Sequence, residues 1–243
     1  MARCGHVDLA HDRPVIKRIT FLSRGEEVGA GQLAAEVAET LASVSGADLP
    51  RRTTVGVVLP ELCIGSPRHD VVVLEWFADP DDLRRCGERV PGEGTVVVAE
   101  EVVVRGQEWF GNWWEGGRTT LTHLALARRA VGLSPSEFSE RWRAHAGHVG
   151  PPGAMVVIPD DVRGLAYVQD HPLPRPEGEW PYDAVNEVRF DDPDGLRARV
   201  EWFRDHGLDQ PQEGLTRQSW FLAVREDVIL PAVAPRPPTR EVS

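Results

Sequence analysis

Residues 70–84 read DVVVLEWFADPDDLR, and residues 183–197 read DAVNEVRFDDPDGLR. Phe77 and Phe190, Pro80 and Pro193, and Leu83 and Leu196 each stand 113 positions apart. In both copies an apolar-rich strand runs into Asp-Pro-Asp, which opens a helix. Asp79 or Asp192 is the natural N-cap, and Pro80 or Pro193 takes the first helical position, where its missing N–H is no loss. In the second copy Leu196, Val200 and Phe203 then recur at helical spacing.

The likeness extends upstream. Val15–Leu22 (VIKRITFL) and Thr120–Leu126 (TLTHLAL) read as strands. Each leads to a helix, marked by Leu33, Val37, Leu41 and Val44 in the first half and by Phe138, Trp142 and His145 in the second. Further strands are expected around 53–59 and 164–169, with closing strands near 95–104 and 219–225. The order per half is β-α-β-β-α-β, so the expected class is α+β with two tandem ferredoxin-like halves, 13–112 and 118–230. The uncovered face of each sheet must be buried, and the other half is the obvious cover. The two sheets would then form one pseudo-symmetric barrel around a central cavity. The proline-rich tail, 231–243 (PAVAPRPPTREVS), is expected to be disordered.

Bulk properties narrow the function. With 243 residues and a formal charge of −11, the chain lacks the Lys/Arg excess that nucleic acid or anionic membrane requires. Lys17 is the only lysine. Three cysteines, far apart and never in a C-x-x-C pair, suit a reducing compartment and supply neither a disulfide nor a zinc framework. No apolar run approaches a bilayer span, and MARCGHVDLAHDRP has no apolar signal-peptide region. A cytoplasmic location is expected. Nucleotide loops and the G-x-S-x-G elbow of serine hydrolases are also absent.

The stretch LALARRAVGLSPSEFSERWRAHAGHV, followed by YVQDHP and YDAVNEVRFDDPDGLR, resembles the EthD family of dimeric α/β-barrel proteins. The motif residues here are Arg128, Arg129, Gly132, Leu133, Ser134, Glu137, Phe138, Trp142 and His145. The first half is degenerate, since its helix QLAAEVAETLASVSG has neither the Phe-x-x-x-Trp pair nor the histidine. Members are usually short chains that dimerise. The resemblance therefore implies a monomer with pseudo-dimeric halves, or a homodimer of such monomers. The wider superfamily spans polyketide cyclases, cofactor-independent monooxygenases, isomerases and haem enzymes, so fold alone leaves the chemistry open.

The start of the SPSEFSERW helix is structural: Ser134 and Glu137 form a capping box, and Leu133 can staple to Phe138. Phe138 and Trp142 should pack on the sheet; His145 can be either a structural or a catalytic histidine. His145 and His148 lack a third ligand at metal-site spacing. Strand alternation offers further groups. If Leu124 and Leu126 pack on helices, His123 faces the cavity. Tyr167, Gln169 and His171 share the more polar face of their strand. With Val188 and Phe190 toward the helices, Val185, Glu187 and Arg189 turn inward. His123 and His145 are thus the expected acid–base groups, with Tyr167 and Glu187 in support. Gln169, His171, Trp142, Trp114 and Arg18 are the expected substrate contacts. Trp114 belongs to the cluster EWFGNWWEGG between the halves, which either packs the junction or walls a flat substrate.

A neutral histidine can remove a proton beside a carbonyl, and a tyrosine can return one. The expectation is a cofactor-independent cyclase, dehydratase or isomerase of bacterial specialised metabolism, acting on a polyketide-like, hydrophobic or aromatic carbonyl compound. A cofactor-free phenol oxygenase, a haem enzyme using one of these histidines, and a non-catalytic metabolite-binding protein are the alternatives.

Overall fold

The computed structural model describes residues 15–25, 28–44, 49–144, 148–149, 156–175, 177–206 and 211–230. His145, the tail 231–243 and the side chain of Trp114 lie outside the described residues. β1 (Val15–Leu22) is followed by α1 (Ala30–Ser43), β2 (Arg52–Val58), β3 (Val71–Phe77), α2 (Pro80–Cys86) and β4 (Gly94–Arg105). Helix α3 (Gln107–Gly116) leads into β5 (Thr120–Arg129), α4 (Pro135–Ala144) and the two-residue strands β6 (His148–Val149) and β7 (Val156–Val157). The chain then forms β8 (Ala166–Pro172), β9 (Ala184–Phe190), α5 (Pro193–Asp205) and β10 (Thr216–Leu230).

Eight strands close into an antiparallel barrel in the order β1-β3-β2-β10-β5-β9-β8-β4. The protein is therefore α+β, and the strands of each half stay contiguous, as β4-β1-β3-β2 and β10-β5-β9-β8. Among the described residues no helix is long and apolar enough to cross a membrane.

The repeated stretches fold alike because their polar residues do the same work. Asp70 N–H donates to Leu22 O and Asp183 N–H to Ala127 O, both at 2.8 Å. Their carboxylates accept from the Arg24 and Arg129 backbone N–H groups, both at 2.9 Å. Asp79 accepts from the N–H groups of Asp81 and Asp82, and Asp192 from that of Gly195. Each closes a helix start that would otherwise leave orphan donors. Replacing either cap by alanine is expected to lower stability by about 1 kcal/mol, as read by urea denaturation. Ser134 and Glu137 form the reciprocal cap of α4, with Ser134 N–H donating to Glu137 Oε2 at 2.9 Å.

Both faces of most strands are buried, whereas the outward-facing residues of β4 are half-buried and Val104 is exposed. Helix α1 covers the outer face of β2 and β3 through Ala34, Val37 and Leu41. Phe138 and Trp142 of α4 pack on Ala127 and Ala184, while Leu196 and Val200 of α5 pack on Leu121, Val188 and Phe190. The inner face is lined by Ile19, Phe21, Leu74, Val97, Leu124, Leu126, Val185 and Leu222, all at most 1 % exposed. Phe110 and Trp113 of α3 pack into this cluster from the end where β4 gives way to β5. Gly106 permits that turn: its φ is 85°, and a Cβ there would lie 2.6 Å from Ala166. Among the described residues these side chains pack together where a central cavity was expected, as an eight-stranded barrel is just wide enough for its own side chains to meet.

Candidate functional site

Charge occupies the α3 end of the interior. Lys17, Asp170, Glu187, Arg189 and Glu226 are all at most 1 % exposed. Lys17 Nζ contacts Glu101, Asp170 at 3.0 Å and Glu187 at 2.9 Å. Arg189 binds Glu187, Glu226 at 2.6 Å and the Thr122 hydroxyl at 2.9 Å. Burial by itself would raise the Glu187 carboxyl, but Lys17 and Arg189 hold it down at about 2. Asp170 goes the other way. Burial pushes it well above the usual carboxylate range, and Glu187 and Glu101 add to this against the pull of Lys17. Glu187 thus serves a lysine and an arginine, and does not orient a histidine as expected from the sequence.

The other expected groups are held between sheet and helices, away from the interior. His123 lies on the outer face of β5: its Nδ1 accepts from Arg199 Nε of α5 at 3.0 Å, and its ring stacks on Phe221 at 5.2 Å. Leu124 and Leu126 took the inner face, the reverse of the expected orientation. Gln169 donates to Trp142 O at 3.1 Å and to Tyr167 Oη at 3.0 Å, and Asn186 donates to the same hydroxyl at 3.0 Å. Trp142 Nε1 in turn donates to Asn186 at 2.9 Å. These side chains fasten α4 to β8 and β9. His171 Nδ1 lies 3.3 Å from Ser139 Oγ of α4, and burial and Arg143 lower this imidazole to about 4. Arg18 faces α2, with Nε donating to Glu75 at 2.6 Å and the guanidinium also reaching Gly87 O. The predicted cavity surface of His123, Tyr167, Gln169 and His171 is therefore not assembled. His123 does not suit a haem iron either, since Phe203 and Phe221 hold its ring. Among the described residues no group of three or more His, Cys, Asp or Glu could hold a metal ion.

The opposite end of the barrel opens into a cavity of about 410 Å³ lined by Arg68, His69, Thr95, Arg128, Pro181, Tyr182 and Trp220. These residues come from matching places in the two halves. His69 and Tyr182 are 113 apart, immediately before the repeated Asp70 and Asp183, and Arg68 and Pro181 precede them. Thr95 pairs with Phe21 across the sheet as Trp220 pairs with Leu126. Matching positions thus meet at one mouth with different side chains.

At its centre, His69 Nε2 lies 2.6 Å from Tyr182 Oη. Ser23 Oγ donates to Arg68 O at 3.0 Å and lies 3.4 Å from His69 Nδ1. With the Ser23 proton committed to Arg68 O, Ser23 can only accept from Nδ1–H, so Nε2 is the free base that accepts the Tyr182 proton. Burial, and then Arg68, lower the imidazole to about 4. Burial pushes the Tyr182 phenol up against the opposing pull of Arg68 and Arg128. The pair is thus neutral imidazole and neutral phenol. The imidazole proton resonances of His69 should stay flat from pH 8 to 5 and titrate near about 4. An NMR midpoint near the ordinary 6.5 would contradict this environment. The depressed value also bears on stability: the His69 contribution is complete above about 6.5 and is lost as pH falls through about 4.

Around the pair are two guanidiniums. Arg68 lies over the Trp220 ring, 4.4 Å from its centroid. Arg128 is half-buried, and its Nε is enclosed with no hydrogen-bond partner. Tyr182 meets Trp220 edge-on at 5.5 Å and Phe21 at 5.3 Å, so aromatic rings support the cavity. Sequence reasoning missed His69, Tyr182, Arg68 and Trp220, although one signal was present: the repeat places SPRHD and WPYD at matching positions. Comparison of the sequence with family models and with curated proteins finds no match.

Proposed function

We propose that this protein is a tandem fusion of two ferredoxin-like halves, 13–112 and 118–230, of EthD-like type, which moves protons on a small carbonyl compound in the cavity between those halves. The strand orders β4-β1-β3-β2 and β10-β5-β9-β8 and the repeated Asp70 and Asp183 contacts support the fusion. One observation carries the chemistry: the 2.6 Å His69–Tyr182 contact in a cavity bordered by Arg68 and Arg128.

The pair works as one relay. Tyr182 Oη takes a proton from the carbon beside the carbonyl while its own proton passes to His69 Nε2. The products of that step are an enolate and an imidazolium. Arg68 and Arg128 stabilise the enolate oxygen, whose charge develops only during the reaction. The weak basicity of His69 makes the imidazolium short-lived, so the proton returns through Tyr182 to another atom. Isomerisation is that return; aldol cyclisation and dehydration begin from the same enolate. The relay uses only side chains of this chain, and the reading is of a cofactor-independent, cytoplasmic lyase or isomerase of bacterial specialised metabolism. Its substrate is a small hydrophobic or aromatic compound, neither nucleic acid nor membrane. The two halves make the pseudo-dimer within one chain.

Phenylpyruvate provides the test, since it joins a ring to a carbon with exchangeable protons beside a ketone. In D2O the full-length protein should accelerate loss of its benzylic ¹H signal, with the rate falling as pH drops through about 4, where His69 takes up its proton. An absence of acceleration with this and other aryl 2-oxo acids counts against the relay.

A further inference from the structure

We infer that the ligand of this cavity is a monoanionic aromatic carboxylate, its carboxylate held between Arg68 and Arg128 and its ring set against Trp220 and Tyr182. The inference deepens the proton-transfer reading and rests on it only in taking this cavity as the substrate site.

Charge is the first argument. The chain carries 38 Asp and Glu against 27 Lys and Arg, so carboxylates are abundant. Of the other arginines at this end, Arg24 pairs with Asp70, and Arg129 binds both Asp183 and Glu179. Its neighbour Arg128 makes no ion pair among the described residues, although its Nε is enclosed. Arg68, at an exposed position, lies over the Trp220 ring and makes no ion pair among the described residues. A partly buried guanidinium without an acceptor is costly and implies a carboxylate or similar planar acceptor from outside.

Shape and polarity supply the rest. A volume of about 410 Å³ falls at the lower end of small-molecule sites and suits one or two rings. The wall is aromatic where Trp220 stands and polar where its counterpart Thr95 stands, so a ligand has one preferred orientation. Asp70 and Asp183 follow directly after His69 and Tyr182. Asp183 is neutralised by Arg129, whereas the Asp70 charge is felt at His69, so a dianion is penalised more than a monoanion, which favours carboxylate over phosphate.

Calorimetry with the full-length protein and three probes of one shape tests this: 1-naphthoate, neutral 1-naphthamide and dianionic 1-naphthyl phosphate. Naphthoate should bind about tenfold more tightly than the amide and more tightly than the phosphate. Arg128→Met should lose about tenfold for naphthoate with little change for the amide. It should melt no lower than the wild type, because no partner within the protein is lost. Arg68→Met, at an exposed position, tests the second anchor without risk to the fold and should also weaken naphthoate selectively. Equal binding of acid and amide, tighter binding of the phosphate, no binding of naphthoate, or unchanged affinity in both arginine variants overturns the inference. Charge-dependent naphthoate binding without phenylpyruvate exchange would support the anion site and remove only the relay.

Discussion

Tyr182→Phe is expected to slow phenylpyruvate exchange by about 10²–10⁴-fold, the range lost with a positioned acid–base group. The substitution deletes one oxygen and keeps the ring that packs on Phe21 and Trp220. The cavity and its two guanidiniums therefore survive, and naphthoate affinity should stay within about threefold, under 1 kcal/mol. His69 also stays neutral, because its lowered basicity comes first from burial and then from Arg68. A loss of exchange in this variant would thus report the missing hydroxyl and not an altered histidine charge. His69→Gln should produce a similar loss while retaining a polar partner for Tyr182. Exchange that persists at the wild-type rate in both variants would sink the relay.

Lys17→Met is the largest expected effect on stability, about 3–5 kcal/mol or outright failure to fold. Lys17 is the cation between Glu101, Asp170 and Glu187, and the latter two carboxylates are fully buried. Methionine fills a similar volume but leaves those oxygens facing one another in a low dielectric. Asp170→Asn should cost less by comparison, because burial and the neighbouring Glu187 and Glu101 already penalise its charged form and push it well above its ordinary range. The two groups have opposite pH signatures. Glu187, held at about 2, contributes stability that is complete above about 4.5 and is lost as pH falls through about 2. Asp170 contributes stability that is complete below its ordinary 3.8 and is lost as pH rises through its raised value. Urea denaturation of both variants at neutral pH separates them. A Lys17→Met protein as stable as the wild type, or an Asp170→Asn protein equally damaged, would refute this account of the network.

The helix starts of the repeated stretches were legible in sequence because local rules determine them. Asp79-Pro80 and Asp192-Pro193 mark helix starts whatever surrounds them, and helices begin at Pro80 and Pro193. On β9 the inward turn of Glu187 and the outward turn of Val188 were also read correctly. The same alternation rule failed on β5 and β8. On these two strands of the closed barrel both faces are largely buried, so apolar residues do not identify the helix side. Leu124 and Leu126 went inward, and His123 satisfied its Nδ1 against Arg199 from a helix 76 positions away.

The amino-acid sequence by itself determined the local pieces: strands with period two, helices with capped starts, and a strand-Asp-Pro-Asp-helix pattern that recurs 113 positions on. Tertiary structure alone decided which faces became interior, that the interior filled with side chains and buried charge, and that the open cavity lies at one mouth. The reason is the range of the forces involved. Caps and periodicity act over a few residues, whereas His69 meets Tyr182 across 113 positions and Lys17 meets Glu187 across 170. Such contacts exist only after the barrel has closed and have no counterpart in local pattern.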